Sequence, residues 1–373
     1  MTFSIVIPVY NAEKYLRQCL ESVVNLNIPQ GADLEVLLVE NGSEDKSPEI
    51  CDQYSEKYDF VKSLHFGKIG AFAARREGMK AAGGDYIFFA DADDLVAKDT
   101  ISAVYSFLAG TGDTVSDTEN ADILQNEKVK CLPDIILHNA AGIDTPSERM
   151  FGFSLEFEPG RIYNAQEKDA FYRVMCLNDS LNALWNKAIS RELAQRIISE
   201  EDANGGTGKK SFNHGEDLLQ TAEMLDKAES VVYVDEILYY YRDNTEGLTG
   251  SYHREFLENQ VDAWSSFDKY AEKWTGNRYK DRISERKTLT CTIAVKSLVY
   301  SMLGAKEKKN ELKRIMESPF YKEYALKMLP KWAPEEDIFI HDIMISDSSF
   351  KKLIGLSVRH KARTLVKKLL RKL

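Results

Sequence analysis

The chain has 373 residues, of which 43% are hydrophobic, and a formal net charge of -10. This size allows a large buried core and two or three domains. The charge is unevenly spread: residues 351–373 contain nine basic residues and no acid, so this tail is +9 and the remainder is -19. An acidic body argues against general nucleic-acid binding, which needs a basic face on the folded domain.

Cysteine usage and the N-terminal segment indicate the compartment. The five cysteines are scattered and never form a Cys-x-x-Cys pair, which argues for a reducing environment and against a zinc ribbon or a disulfide framework. A strand-like segment begins at Phe3 without a basic region or cleavage site before it, and no apolar run reaches about 18 residues. The sequence therefore predicts a cytoplasmic protein.

Residues 3–90 alternate strand-like and helix-like segments. The predicted strands are residues 3–9, 34–39, 61–66 and 85–90. Asn11 is predicted to cap the first intervening helix, Ser47 followed by Pro48 starts the second, and Ala71 starts the third. Strands that alternate with helices form a parallel sheet with right-handed crossovers, so their carboxyl ends meet at one edge.

The fourth strand ends in the carboxylates Asp91, Asp93 and Asp94. Carboxylates one residue apart can offer hard oxygen ligands to Mg²⁺ or Mn²⁺, which complete their shells with water and substrate phosphates. This pattern predicts chemistry on a diphosphate. The alternative is that the three acids only cap the next helix. No glycine-rich dinucleotide fingerprint follows the first strand, and no P-loop motif occurs.

Later segments define the domains. Residues 110–130 are polar and predict an excursion from the sheet, and further strands are predicted at 134–138, 230–234 and 237–241. From about residue 253 the apolar positions recur at helical spacing. We therefore predict domains at 1–252, 253–350 and 351–373.

The tail is predicted to be a basic amphipathic helix. Its apolar residues keep one helical face: Val358, Ala362, Leu365, Val366, Leu369, Leu370 and Leu373. Such a helix suits the anionic surface of the inner leaflet of the plasma membrane, which would make the protein a peripheral one. The alternative is a terminal helix that docks its apolar face on the helical domain and leaves its lysines in water.

Seven ordered motifs in residues 1–250 closely resemble the family 2 glycosyltransferases. They are residues 4–11, residues 39–45, Gly70 with Ala74 and Arg75, residues 91–94, Trp185 with Lys187, residues 215–217 and residues 239–242. The resemblance implies the α/β GT-A fold, a mostly parallel sheet flanked by helices, followed here by a C-terminal α-helical region. It also implies transfer of a sugar from a nucleoside-diphosphate sugar with inversion of the anomeric carbon.

By this resemblance, Asp93 is the principal ligand of a Mn²⁺ or Mg²⁺ ion and Asp91 its helper. The residues implied in donor binding are Pro8, Val9, Tyr10, Glu40, Asn41, Arg75, Asp91 and Arg242. Glu40 and Asn41 stand where the family usually has two aspartates. An Asn carbonyl can still accept the uracil N–H, without charge assistance, so a UDP-sugar is the leading prediction.

On the acceptor side, the resemblance implies Asp217 as general base and Glu216 as a group that orients sugar hydroxyls or the acceptor. The alternative is that both acids only complement the helix dipole. Trp185 and Lys187 match the segment under the acceptor cleft, and the alternative is a core tryptophan beside a surface lysine.

The sequence thus predicts a metal-dependent inverting glycosyltransferase that acts on a glycan or lipid-linked acceptor in bacterial capsule, exopolysaccharide or teichoic acid synthesis. A nucleotidyltransferase, which releases pyrophosphate, is one alternative. A non-catalytic, membrane-associated scaffold is another, and it would tolerate the loss of Asp93 and Asp217.

Overall fold

The computed structural model describes residues 1–110, 132–203, 215–244 and 252–370, of which residues 201–203 and 362–370 are described by their backbone alone. The predicted excursion at 110–130 therefore lies, beyond its first residue, outside the described residues, as do the last three residues of the tail. The chain divides into two compact units. The first comprises residues 1–171, 180–212 and 216–243, and the second comprises residues 172–179, 213–215 and 244–373.

The first unit is built on one mixed sheet. In chain order its elements are β1 (Thr2–Val9), α1 (Leu16–Val24), β2 (Asp33–Asn41), α2 (Ser47–Lys57), β3 (Val61–Phe66), α3 (Ala71–Ala81), β4 (Tyr86–Phe89), β5 (Leu95–Val96), α4 (Thr100–Gly110), β6 (Ile135–Gly142), β7 (Thr145–Arg149), β8 (Ile162–Asn164), α5 (Asp169–Leu177), β9 (Lys187–Ser190), α6 (Arg191–Ala203), α7 (Glu216–Lys227) and β10 (Ser230–Tyr241). The residues from Tyr172 onward in α5 belong to the second unit. Short 3-10 turns lie at Phe153–Leu155 and Ala165–Glu167.

The sheet order is β3-β2-β1-β4-β9-β6-β10-β5, with β7 paired to β6 and β8 paired to β10. The predicted parallel arrangement of β1 to β4 is confirmed. β10 also runs parallel to β6, whereas β9 lies antiparallel between β4 and β6. The two strands predicted at 230–234 and 237–241 are one strand, β10, with irregular register between Val234 and Tyr239.

Apolar runs place β1 and β4 in the centre of the sheet. The side chains of Phe3, Ile5 and Ile7 are fully buried, as expected for a strand covered on both faces. Helix α3 approaches this layer closely at Gly78, where an added Cβ would lie 2.2 Å from Val6 Cγ1. Glycine at this position therefore brings α3, with Arg75 on it, against the sheet.

Asn11 does not cap α1, which begins at Leu16 with Tyr15 as its N-cap. Its backbone has φ 48, in the left-handed region that Asn tolerates better than most residues. Its Oδ1 accepts a hydrogen bond from the backbone N–H of Glu44 at 2.8 Å, and its own N–H donates to Ser43 Oγ at 3.0 Å. The side chain therefore joins the loops that follow β1 and β2.

The described part of the second unit is helical, as predicted. Its helices are α8 (Phe256–Thr275), α9 (Lys280–Tyr300), α10 (Ala305–Glu317), α11 (Pro319–Tyr324), α12 (Glu335–Ile345) and α13 (Ser349–Leu370). Their common core includes Val295, Leu298, Leu312, Ile340 and Leu353. None of the helices in the described ranges combines the length and the apolar character needed to cross a bilayer.

The predicted tail helix is part of α13. Leu353 and Ser357 are buried within the helical unit, and Lys361 Nζ donates to the carbonyl of Leu303 at 3.0 Å. These contacts dock the first turns of the tail on the helical unit, but Val358 of the predicted apolar face is 53% exposed, so the docked face differs from the predicted one. The side chains from residue 362 onward lie outside the described part of the chain, so membrane binding by this segment stays a prediction.

Candidate active site

Three parallel strands end side by side at one edge of the sheet. Val9 at the end of β1 is in register with Glu40 at the end of β2, and Val6 of β1 is in register with Phe89 at the end of β4. The residues that follow these strands are therefore neighbours, as open α/β sheets require for a ligand site. This edge brings Tyr10, Asn41 and the acidic segment 91–94 together.

Asp94 anchors the acidic segment to the end of β10. Its Oδ1 accepts from the backbone N–H of Arg242 at 2.6 Å, and its Oδ2 accepts from the hydroxyl of Tyr239 at 2.8 Å. The same hydroxyl accepts from the backbone N–H of Asp91 at 2.9 Å. Burial, followed by the charges of Asp91 and Asp93, raises the pKa of Asp94 to about 8.

Sequence reasoning gave Asp94 and Tyr239 no role of their own. The available signal was the third acid in the motif, one more than a pair of metal ligands needs. Asp94 is almost completely buried and Tyr239 stacks on Trp185, so both belong to the support of the site.

Arg75 connects the acidic segment with the start of α7. Its Nη2 lies 2.9 Å from Asp91 Oδ1, and its Nη1 lies 3.0 Å from Asp217 Oδ1. Glu216 Oε1 is 3.7 Å from the same Nη1. Burial alone would lower the pKa of Arg75, but the surrounding carboxylates outweigh burial and raise it, so the guanidinium stays charged.

Asp217 and Glu216 form the first turn of α7. Burial raises the pKa of both, and for Glu216 the charge of Asp217 adds to this effect, while Arg75 opposes it in each case. The Asp217 side chain is 36% exposed, against 11% for Glu216. Asp217 is therefore held by Arg75 on one side and is open to a hydroxyl group on the other.

The two residues predicted to contact the base and ribose are both buried. Glu40 Oε1 accepts from the backbone N–H of Ser43 at 2.6 Å. Asn41 Oδ1 accepts from the backbone N–H groups of Ile69 and Gly70 at 2.7 and 3.1 Å. The carbonyl of Asn41 is thus engaged by the loop before α3, and its amide N–H₂ is the part left to act as a donor.

The remaining predicted donor residues lie around the same edge. Val9 is buried, while Pro8 and Tyr10 are half-buried, and Lys68 Nζ donates to the Tyr10 hydroxyl at 2.7 Å. Arg242 Nε donates to the carbonyl of Asp93 at 2.7 Å, and its guanidinium lies 4.6 Å from the centre of the Tyr15 ring. Arg242 is therefore held against α1, beside the acidic segment.

Trp185 and Lys187, predicted to lie under the acceptor, are both buried. Trp185 stacks on Tyr239 with ring centres 4.8 Å apart and 3° between the planes. Lys187 Nζ donates to the carbonyls of Leu181 and Ala183 and to Asn186 Oδ1. Lys187 thus organises the loop that leads into β9, and Trp185 supports the strand that carries Tyr239.

A metal ion would have to use few protein ligands here. Within the described ranges, no three His, Cys, Asp or Glu side chains converge in a cluster able to hold one. Asp94 is engaged by Tyr239 and Arg242, and Asp91 Oδ1 bonds to Arg75, so the candidate oxygen donors are Asp93 and the second oxygen of Asp91. Two carboxylates fit a Mg²⁺ or Mn²⁺ ion that takes its other ligands from substrate phosphates and water.

Comparison with known proteins gives a family match over part of the chain. Residues 4–153 match the family model described as Glycosyl transferase family 2. The uncharacterized glycosyltransferase EpsJ of Bacillus subtilis is 28% identical over 248 residues, which cover 66% of this chain and 62% of that protein. The putative glycosyltransferase EpsH of the same bacterium is 25% identical over 69% of this chain and 65% of its own length. The chain thus spans less than two thirds of the curated relatives it matches.

Two further similarities concern a shorter segment and the fold. The poly(ribitol-phosphate) beta-glucosyltransferase of Bacillus spizizenii is 39% identical over 111 residues, 29% of this chain and 17% of that protein. The crystal structure of S. aureus TarS 1-349 in complex with UDP-GlcNAc aligns with a TM-score of 0.51 at 18% identity, covering 87% of this chain and 90% of that one. The structural likeness confirms the predicted GT-A fold.

Proposed function

Because residues 4–153 match the model of glycosyltransferase family 2, we propose that this protein is a metal-dependent inverting glycosyltransferase that uses a nucleoside-diphosphate sugar. The observation that supports this most directly is the position of Arg75. A single guanidinium holds Asp91, on the side of the predicted metal and diphosphate, and Asp217, the predicted base. An acceptor next to Asp217 would therefore face a donor bound at the acidic segment.

The chemistry follows from this arrangement. Asp217 accepts the proton of an acceptor hydroxyl, whose oxygen bonds to the anomeric carbon as the bond from that carbon to the diphosphate breaks. Glu216, beside it, orients the hydroxyls of the acceptor or the sugar. A Mn²⁺ or Mg²⁺ ion on Asp93 and Asp91 would stabilise the charge that accumulates on the leaving diphosphate. One displacement inverts the anomeric carbon.

We propose a UDP-sugar as donor, as in the TarS complex with UDP-GlcNAc. Pro8, Val9 and Tyr10 would line the nucleotide through the end of β1, and Glu40 and Asn41 would lie beside its base and ribose. Since the Asn41 carbonyl is engaged by backbone N–H groups, its amide N–H₂ is the group we assign to the base, as a donor to a uracil carbonyl. Arg242 would complete the diphosphate site.

The acceptor is proposed from the relatives. Their names include a poly(ribitol-phosphate) glucosyltransferase and the minor teichoic acid biosynthesis protein GgaA of Bacillus subtilis. We propose that the acceptor is a glycan or a lipid-linked precursor of such a cell-surface polymer, met at the inner face of the plasma membrane. Trp185 and Lys187 would support the acceptor cleft from below, because their side chains are buried.

A thermal-shift panel tests the donor site. UDP, GDP, CDP and dTDP are each added with and without Mn²⁺ to the wild type, to Asp93→Asn and to Asp59→Asn, an exposed aspartate on the loop before β3 that serves as the control. Ligand at about 100 times its dissociation constant should add roughly 2.7 kcal/mol of stability. We expect UDP with Mn²⁺ to stabilise the wild type and the control only. Stabilisation of Asp93→Asn to the same extent would contradict the metal assignment.

Product analysis tests the reaction. We expect release of a nucleoside diphosphate and an inverted anomeric configuration by NMR. Release of pyrophosphate would support a nucleotidyltransferase instead. If Asp93→Asn and Asp217→Asn both kept full biological activity, the scaffold alternative would be favoured.

A further inference from the structure

The second unit exposes three large apolar side chains within seven residues. They lie in the segment between α11 and α12, hereafter the 326–332 loop, where Leu326 is 69% exposed, Met328 is 74% exposed and Trp332 is 43% exposed. Single exposed apolar residues are ordinary, but a group of large ones at neighbouring positions is typical of an interaction surface.

The 326–332 loop is fixed in this arrangement by the unit that carries it. Trp332 Nε1 donates to the carbonyl of Leu177 at 3.0 Å. The backbone N–H of Lys327 donates to the carbonyl of Tyr324 at 3.0 Å, and that of Ala333 donates to Pro330 at 3.0 Å. The apolar side chains are therefore presented to solvent by a bonded turn and do not depend on a fluctuating segment.

A basic cavity of about 710 Å³ lies beside Met328 of this loop. Its lining includes Met328 and four basic residues, Arg278, Arg282, Lys327 and Lys331, with the acids Asp281 and Glu285. Arg282 Nη1 lies 2.8 and 3.0 Å from the two carboxylate oxygens of Glu285, so these two charges offset each other. Beyond this pair the lining still carries more basic than acidic side chains, which favours an anionic ligand.

Acids at the start of α12 leave this balance largely unchanged. Asp337 and Glu336 lie 2.6 and 3.9 Å from Lys296, and Asp337 is buried. They are thus directed toward α9. Glu335, the remaining acid of this turn, forms no ion pair among the described residues. It is the first residue of α12 and directly follows Pro334.

We propose that the 326–332 loop docks on an anionic membrane surface. Leu326, Met328 and Trp332 would enter the interfacial region of the bilayer, and the basic cavity would take the phosphate of an anionic phospholipid headgroup. Tryptophan and lysine are both favoured at this depth, since each combines an apolar body with a polar end. The inference is independent of the proposed catalysis and concerns residues other than those of the tail at 351–373.

The size of the surface favours a membrane over a protein partner. A stable protein interface buries about 800 Å² on each partner, from roughly 20 to 30 residues. Three apolar side chains and the ten residues that line the cavity supply less than this. Peripheral membrane binding needs no such minimum, because each inserted side chain and each basic residue near an anionic surface adds to the affinity separately.

Fluorescence quenching by brominated lipids tests the position of the loop directly. The full chain is mixed with vesicles of equal parts phosphatidylcholine and brominated phosphatidylglycerol. Of the four tryptophans, Trp332 is the one exposed, whereas Trp185 and Trp264 are buried and Trp274 is half-buried. We expect quenching in the wild type and its loss in Trp332→Phe. If the protein bound vesicles but Trp332→Phe left the quenching unchanged, or no quenching occurred, the proposal would be overturned and membrane binding would be assigned to the tail.

Co-sedimentation with the same vesicles, unbrominated, tests the apolar contribution. The double variant Leu326→Ser, Met328→Ser should bind at least about tenfold more weakly, since two apolar insertions are lost. Leu155→Ser is the matched control, because Leu155 is 90% exposed but belongs to the first unit. Equal weakening in both variants, or unchanged binding in the double variant, would contradict the assignment.

Further measurements test the headgroup preference and distinguish membrane docking from the proposed catalysis. The double variant Lys327→Gln, Lys331→Gln should bind more weakly to phosphatidylglycerol vesicles than the wild type does. If the wild type bound pure phosphatidylcholine vesicles as tightly as phosphatidylglycerol vesicles, the anionic site would be overturned.

If the wild type did not bind vesicles but formed a dimer that the loop variants lost, the loop would instead be a contact between two copies of the chain. Transfer to a soluble acceptor should be unchanged in the loop variants, so failure of transfer in the wild type would count against the catalytic proposal alone.

Discussion

Arg75 and Asp217 form an ion pair in which Nη1 lies 3.0 Å from Oδ1. Arg75 is on α3 and Asp217 is at the start of α7, 142 residues further along the chain. Because Arg75 is buried and also bonded to Asp91, it holds Asp217 at a defined place relative to the acidic segment. The pair therefore relates the predicted base to the predicted diphosphate site.

Asp217→Asn should abolish most sugar transfer without weakening nucleotide binding. The amide keeps the shape of the side chain but cannot accept a proton from the acceptor, so we expect the transfer rate to fall by a factor of at least about 10². Donor affinity, measured by the thermal shift with UDP and Mn²⁺, should stay unchanged. Asp226→Asn, near the other end of the same helix, is the control. An active Asp217→Asn enzyme would remove the assignment of the base.

Arg75→Lys should distinguish the effect of the positive charge of Arg75 from the effect of its two-armed bonding geometry. An ammonium keeps the positive charge but cannot reach Asp91 and Asp217 with two planar arms, so we expect kcat to fall by about tenfold or more. The two carboxylates are about one third exposed, so the loss of folding stability should be only on the order of 1–2 kcal/mol.

Arg76→Lys is the matched control for this change. Arg76 is also buried on α3, but it pairs with Glu223 and lies over the Phe72 ring. We expect a comparable loss of stability in urea unfolding with little change in kcat. If the two variants lost transfer equally, Arg75 would have a structural role only.

The central strands could be predicted from the sequence because a buried parallel strand is a continuous apolar run. β1, β2 and β4 follow that rule. β9 was not predicted, since four residues that begin with Lys187 carry no strand signal of their own. Its place between β4 and β6 comes from pairing on both sides, which local sequence does not encode.

The residues of the site could be predicted better than their partners. Parallel topology places the ends of β1, β2 and β4 at one edge, so Asn41 and Asp91 were expected there. That the Asn41 carbonyl bonds to the backbone of Ile69 and Gly70, and that Asp94 bonds to Tyr239, depends on how distant loops pack. Such contacts follow no period in the sequence.

Tyr239→Phe should loosen the acidic segment. The change deletes the hydroxyl that donates to Asp94 Oδ2 and accepts from the backbone N–H of Asp91, which leaves two polar groups without this partner. We expect a loss of about 1–3 kcal/mol in the free energy of unfolding and a higher Mn²⁺ concentration for half-maximal stabilisation by UDP. Tyr240→Phe, one residue along the same strand, should change neither. An unaltered Mn²⁺ requirement in Tyr239→Phe would show that Tyr239 does not position the acids.

His138 should make the fold sensitive to mild acid. The imidazole is buried in β6, and its Nδ1 lies 3.0 Å from the carbonyl of Asn139. Burial, together with the charge of Lys187, lowers the pKa of His138 to about 4, against roughly 6.5 in the unfolded chain. Between these values the unfolded state binds more protons than the folded one, so stability falls as the pH drops from about 6.5 toward 4. At about pH 5 this loss should be roughly 2 kcal/mol, since each pKa unit corresponds to about 1.4 kcal/mol.

Urea unfolding near pH 7 and near pH 5 measures this loss. The His138→Gln variant lacks the imidazole that takes up a proton on unfolding. The difference in unfolding free energy between the two pH values should therefore shrink by roughly 2 kcal/mol relative to the wild type. His65→Gln, a substitution on the edge strand β3 where the ring is 43% exposed, is the comparison for replacing a histidine outside the core. If His138→Gln were as acid-sensitive as the wild type, the loss would have to come from other groups. The comparison is made within one variant at two pH values, so any constant cost of the substitution cancels.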